Sequence, residues 1–450
     1  MSIPSLVIPY LPVFARNAAY RIKASPLGYR LANGAFWSVS GAVASKGMML
    51  VASIVVARML TREVYGELGI IRSTVNMFVV FASFGMGMTA TKYVAELRET
   101  DPGRAGRIMA LSSLFTFGSG SIVAAILLFL APWLALHSLN APHLTTELRI
   151  SAIILVISAL NGAQTGALAG LEAFKECAMV NFWAGLASFP ILVAGAYWGG
   201  LRGSVWALGG NIALSWLLSH MVLRKQAAKH NILLSTKGCL REMPVLWKYS
   251  LPAVLGSIMV MPVMWTCNAF LVNNSGGYGE MALFDAANQW RMAILLIPGM
   301  VCQIALPMLS SLSGLKDRKN YLKIFRVNLL FNAGVAFLSA LPVACGALWI
   351  MRAYGMEFEQ GRWVLICLAI TSVPIALNNV VGHAIASKGH MWVGFFFNLL
   401  WAAAMISLSW IIVHNGYGAM GLALANLIAY LLHTVWQSIY AFRLIGKPAK

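Results

Sequence analysis

Acidic side chains are what this sequence has least of: 14 Asp and Glu in 450 residues, against 33 Lys and Arg. Charged residues of both signs make up 10% of the chain, where soluble domains carry about a quarter, so a water-soluble globular protein is excluded. Cysteine is sparse too. Cys177, Cys239, Cys267, Cys302, Cys345 and Cys367 form no CxxC pair, which argues against a disulfide framework or thiolate metal site and reads them as small core residues. The eight His lack ligand spacing, so no metal is expected. No nucleophile stands beside a base and no glycine-rich phosphate loop occurs, so neither a catalytic residue nor a cofactor is expected. Strand-type alternation of polarity is missing, which removes a β-barrel.

What fills the chain instead is apolar: 59% of it is hydrophobic and the mean hydropathy is +0.75. Runs of about 20 apolar residues recur, each able to cross ~30 Å of hydrocarbon as a helix. Twelve can be marked, at residues 35–57, 68–90, 108–130, 150–170, 178–198, 204–223, 249–272, 281–306, 324–350, 363–383, 392–413 and 419–440. They divide the chain into an N-terminal lead-in (1–34), a first six-helix bundle (35–223), a basic linker (224–248), a second bundle (249–440) and a tail (441–450). The lead-in places its apolar stretch before Arg16, Arg21, Lys23 and Arg30. A signal peptide has the opposite order, so an uncleaved segment is expected.

The net charge of +19 suggests nucleic acid at first sight, but the cations follow a membrane pattern. Arg98, Arg104, Arg107, the stretch from Arg224 to Lys248, and Lys316 to Lys323 all fall on one side; the other holds only Arg58, Arg62, Arg149, Arg202, Arg352 and Arg362. Cytoplasmic loops carry the excess of Lys and Arg. A multi-pass protein with both termini cytoplasmic follows, with the bilayer and no nucleic acid as its partner. The linker mixes Ile232, Leu233, Leu234 and Trp247 with charge, and reads either as an interfacial helix on the anionic leaflet or as a plain connection.

The two halves echo one another. Tyr65-Gly66-Glu67-Leu68 returns as Tyr278-Gly279-Glu280-Met281; Asn161 and Asn181 match Asn378 and Asn398, and Gly203 and Asn211 match Gly418 and Asn426. Six spans is an even number, so the repeats are parallel: an all-α integral membrane protein of two pseudo-symmetric six-helix bundles around a central cleft.

Ionisable residues inside spans default to a pathway or pairing role. They are Lys46, Arg72, Arg291, Arg326 and, as the only acid, Asp285. Lys46 lies mid-span, with Ser53 on the same face. Asp285, Asn288 and Arg291 fall within a 120° stripe at 100° per residue, and Arg72 with Asn76 forms the matching stripe. Lys46 and Arg291 are the candidate substrate-binding cations of the cavity, with Ser53, Asn76 and Asn288 as its polar lining. Arg72 and Asp285 lie at equal depth and are candidates for a gate or coupling pair; the alternative is that each finds a partner in its own half. Arg326, near a span end, reads as an anchor. Gly162, Gly166 and Gly170 are spaced for close helix packing, and Pro252, Pro262 and Pro298 are candidate kinks.

The chain resembles the bacterial polysaccharide transporters, or O-antigen flippases, of the superfamily that includes multidrug exporters and lipid II flippases. The residues that carry this are Ala57-Arg58-Met59-Leu60 ahead of Tyr65-Gly66, Gly87 through Tyr93 with Glu96, Gly170-Leu171-Glu172 with Phe174, Pro307 with Leu309-Ser310, and Gly418 to Asn426. The resemblance implies alternating access in a bacterial inner membrane. A polyprenyl-diphosphate-linked oligosaccharide would move from the cytoplasmic to the periplasmic leaflet, with polysaccharide polymerase components as candidate partners. A diphosphate suits Lys46 and Arg291 in a low-dielectric cleft. An ion-coupled multidrug exporter of the same fold is the alternative, but it would be expected to carry more cavity acids than Asp285. Lipid II flippases usually have two further spans. A membrane polymerase or ligase would be expected to carry a large catalytic outer loop, and residues 131–149 offer only Glu147, Arg149 and two His.

Overall fold

The computed structural model describes residues 26–246, 250, 258–274, 276–302 and 318–446. The lead-in up to residue 25, Pro252, Pro307 to Ser310 and Lys316 lie outside the described residues. Among those described the regular structure is helical, and eight helical stretches are long and apolar enough to cross a membrane.

Helix α1 (Pro26–Met59) begins well ahead of the apolar run at residue 35. Its first residue is a proline, whose fixed φ and missing N–H suit a helix start. Thr61 then caps α2 (Arg62–Ser83), its Oγ1 accepting from the Val64 N–H at 3.4 Å. Phe84 and Gly85 both adopt left-handed φ, at 43° and 67°, and break the second span into α2 and α3 (Met86–Leu97). Asp101 caps α4 (Pro102–Trp133), accepting from the Arg104 N–H at 2.9 Å. Helix α5 is Thr145–Gly170 and α6 is Phe174–Lys229.

At 56 residues a straight α6 would run ~84 Å at ~1.5 Å per residue, far beyond one bilayer. It doubles back at Gly200, whose φ of 53° and ψ of −129° are not helical. A side chain there would be strained. The two limbs meet so closely that a Cβ on Gly195 or Gly203 would strike the other's carbonyl.

The second half comprises α7 (Val260–Val272), α8 (Gly277–Ile294), α9 (Arg318–Cys345), α10 (Ala347–Tyr354), α11 (Arg362–Ser387), α12 (Met391–Ile412) and α13 (Gly418–Gly446). Gly418, the first residue of α13, has φ 49° and ψ −136°, nearly the conformation of Gly200. The backbone repeat therefore pairs Gly418 with Gly200, not with Gly203 as the sequence echo suggests.

Helices α1 to α6 pack chiefly on one another, as do α7 to α13; the halves meet through α2 against α7 and α8, and through α1 against α8 and α10. One contiguous apolar core crosses this seam, joining Tyr65, Leu68 and Ile71 to Met281, Phe284 and Tyr354. The glycine ladder of α5 receives α3: a Cβ on Gly166 would collide with Gly87, and one on Gly170 would approach the Thr91 carbonyl at 2.8 Å. Of the linker, Trp247 and Lys248 lie outside the described residues, residues 224–229 continue α6 and residues 244–246 are helical. Residues 232–236 are irregular, followed by a short turn at Cys239–Glu242, and the linker is docked on α4. Buried Glu242 accepts from Arg104 Nε at 3.0 Å and Arg107 Nη2 at 3.4 Å, and Ile232 is buried beside Ala105 and Ile108. Of the cysteines read as core, Cys345 is exposed.

Candidate functional site

The two copies of the Tyr-Gly-Glu echo face each other across the seam. A Cβ on Gly66 would fall on the Tyr278 carbonyl, so only glycine allows this approach of α2 to α8. Arg62 Nε donates to the Gly279 carbonyl at 3.0 Å and its Nη2 to Glu280 at 2.9 Å. Glu280 also accepts from the Ala419 N–H at 2.7 Å. Arg58 donates to the Ala353 carbonyl at 2.6 Å, and the Tyr278 hydroxyl to the Leu139 carbonyl at 2.7 Å. This end, bearing the α1–α2 and α7–α8 turns, is thus clasped by at least four polar links between halves. One described link lies toward the basic end, Thr89 Oγ1 with Ser250 Oγ at 2.7 Å.

One to two turns further along the seam, Arg72 Nη1 meets Asp285 Oδ2 at 2.9 Å. The chain thus brings together the two charges that its repeat places at equal depth. Gly69 helps here too, since a Cβ on it would lie 3.1 Å from that of Asp285. Around the pair runs a hydrogen-bonded chain from three helices. Gln289 Nε2 donates to Asp285 at 3.0 Å and to the Tyr65 hydroxyl at 2.9 Å; that hydroxyl lies 2.5 Å from Ser53 Oγ on α1. Asn268 bonds Ser73 and Trp265 bonds Thr74, each at 2.9 Å, tying α7 to the same face of α2.

Lys46 is half-buried, within electrostatic range of both Arg72 and Asp285, and has no hydrogen-bond or ion-pair partner among the described residues. A half-buried ammonium without a partner is costly unless water or an anion completes its shell. Asn76 is exposed one turn along α2 from Arg72. Asn288 is half-buried, with its Oδ1 unpartnered among the described residues.

Arg291 parts from this group. It is only 5% exposed and donates from Nη1 to Asn426 Oδ1 of α13 at 2.9 Å, inside the second half. Six residues at 100° each leave a 120° turn between Asp285 and Arg291. That is enough to point the first at the seam and the second into its own bundle. Sequence reasoning missed Gln289 and the Tyr65 hydroxyl. The signal for Gln289 was its place one turn after Asp285 on the same face; Tyr65 was read only as a mark of the repeat.

A helical membrane protein of two repeated halves, with a charged network buried at their seam and a cation beside it that is unpaired among the described residues, is a membrane transporter. Residues 31–313 match the family described as polysaccharide biosynthesis protein, and the chain belongs to that family. It is 26% identical over 417 residues to the EPS I polysaccharide export inner membrane protein EpsE of Ralstonia nicotianae, covering 89% of this chain and 91% of that protein. Among solved structures it is similar to an inward-facing multidrug resistance MATE family transporter of the MOP superfamily (TM-score 0.72, 14% identity, 90% of this chain and 96% of that one). It is also similar to the lipid II flippase MurJ in an inward closed conformation (TM-score 0.65, 14% identity, 89% and 88%). At such identities these structures speak for the fold alone.

Proposed function

We propose that the chain is an inner-membrane flippase carrying a polyprenyl-diphosphate-linked oligosaccharide from the cytoplasmic to the outer leaflet by alternating access. Both termini are cytoplasmic in this reading, which makes the α1–α2 end periplasmic. The observation that carries it is the cluster of Lys46, Arg72 and Asp285: two cations and one carboxylate where the halves meet. Lys46, without a direct partner among the described residues, receives the diphosphate. Arg72 and Asp285 form the outer latch, and an arriving diphosphate competes with Asp285 for Arg72, weakening the latch when substrate is present. Arg291 is left out of the binding set because Asn426 and its own bundle enclose it. Membership of the polysaccharide biosynthesis family and similarity to EpsE support the substrate class, and a periplasmic polymerase is the natural recipient of the product. A cation exporter of the same fold is less well supported, since the seam cluster has a net positive charge.

The test is leaflet-resolved. Cells lacking the chain are expected to accumulate lipid-linked oligosaccharide on the cytoplasmic leaflet, with Lys46→Ala at normal expression reproducing the defect and Lys46→Arg relieving part of it. Intact surface glycan without accumulation would overturn the reading.

A further inference from the structure

Beside the charged cluster lies an apolar groove that the mechanism above leaves unused. It has a volume of about 610 Å³ and is formed by Val43, Ala44, Gly47, Met48 and Val51 of α1 with Leu186, Phe189 and Pro190 of α6. That size falls in the range of small-molecule sites, roughly 300 to 1,000 Å³. The groove has a structural cause. Helices α1 and α6 are in tight contact below it, where a Cβ on Gly41 would lie 2.6 Å from Ala178 Cα and one on Gly185 would lie 2.7 Å from Ser45 Cα. Pro190 then removes the N–H that would bond the Leu186 carbonyl, which loosens α6 where the two helices part.

Gly47 is the second observation. A glycine inside a helix is destabilising unless the backbone must approach something closely. None of the described residues lies within 4 Å of where its Cβ would stand. Packing among the described residues therefore does not account for it, whereas a ligand lying along α1 does. Lys46 projects about 100° from Gly47, at the edge of the groove. A cation beside an apolar channel matches an anionic head joined to a hydrocarbon tail.

We propose that this groove holds the head-proximal part of the polyprenyl chain while Lys46 holds the diphosphate. The inference rests on the lipid-diphosphate reading above. The charge at its rim selects the occupant, because a tail tethered to a diphosphate on Lys46 is delivered to the groove, whereas a bulk acyl chain is not.

The experiment uses the full chain in proteoliposomes with two probes, a photoreactive undecaprenyl diphosphate and a methyl diphosphate that lacks the isoprene tail, each carrying N-acetylglucosamine. The undecaprenyl probe bears its benzophenone on an isoprene near the diphosphate. Adducts of the long probe are expected within residues 43–51 and 186–190. Gly47→Trp and Leu186→Trp, from opposite walls, should each cut that labelling about tenfold, the equivalent of roughly two methylenes losing their contact. Gly47→Ala, whose methyl meets a ligand lying along α1, should cut it by a smaller factor, and retention of the short probe, dependent on Lys46, should persist in all three variants. The groove is refuted if Lys46-dependent retention is intact but adducts lie elsewhere, if both tryptophan variants lose both probes equally, or if excess phosphatidylglycerol displaces the label. If wild-type protein retains neither probe, the lipid-diphosphate reading itself has failed and the groove falls with it.

Discussion

Neutralising Asp285 should open the α1–α2 end of the molecule. Arg72 and Asp285 meet at 2.9 Å with side chains 25% and 10% exposed, between the surface and deep-interior limits. Two unit charges at that distance attract by about 6 kcal/mol at an effective dielectric constant of ~20. Most of this is offset by desolvation and side-chain ordering, and hydrogen bonds to charged groups contribute about 1.5 to 3 kcal/mol net. Taking ~2 kcal/mol, Asp285→Asn should raise the ratio of open to clasped molecules about thirtyfold. The real change should sit at or above this, because Lys46 and Arg72 then face each other with no carboxylate nearby. Spin labels at Met59 and Met356, both exposed on either side of this end, would report it in a background stripped of native thiols. Wild-type protein should give one short distance; Asp285→Asn and Arg72→Gln should each add a longer one. The double exchange Arg72→Asp with Asp285→Arg should restore the short distance and transport together. Unchanged distances in both single variants, or failure of the exchange to restore them, would refute the latch.

Gly66→Ala should act on the same equilibrium through sterics. The added methyl meets the Tyr278 backbone, and overpacking of this kind costs about 1 to 3 kcal/mol, so the same label pair should lengthen. Arg291 should behave as a structural group: Asn426→Leu, which strands a buried guanidinium, should lower stability by about 3 kcal/mol in denaturation of the purified protein. Arg291→Met combined with Asn426→Leu should be near neutral in that assay and leave transport intact. Glu242→Gln should free the linker from Arg104 and Arg107, which faster proteolysis after Lys237 or Arg241 would report.

The architecture was legible because the hydrocarbon thickness imposes it: a run of twenty apolar residues has few other uses. The repeat was legible in Tyr65-Gly66-Glu67 and Tyr278-Gly279-Glu280, and both copies lie at the seam. Helix rotation was not legible. The sequence places Asp285, Asn288 and Arg291 in one stripe, and only the neighbours α2 and α13 decide that the stripe divides between seam and core. The sequence places the doubling back between the spans 178–198 and 204–223 but not at Gly200 itself, since Gly199, Gly200 and Gly203 are equivalent in composition and differ only in backbone conformation. Glu242 was hidden by its basic surroundings. In the linear chain it is one acid in a cationic linker, while in three dimensions it holds that linker to α4.

The asymmetry of the repeat gives the latch its sharpest test. Residues at equal depth on two helices related by an approximate two-fold axis come face to face where those helices touch. A strictly repeated cation at this position would place two guanidiniums opposite each other, a repulsion of about 4 kcal/mol at 4 Å and an effective dielectric constant of ~20. Arg72 against Asp285 converts that repulsion into a bond. Asp285→Arg, which makes the position symmetric, should therefore open the clasp by at least tenfold more than Asp285→Asn. Rescue of Asp285→Arg then separates geometry from mere field. Lys46 senses both charges but bonds neither, so Arg72→Asp should restore the short distance fully and Lys46→Asp only in part. Equal rescue from both positions would mean that the net charge of the seam, not the meeting of two equivalent residues, closes this end of the transporter.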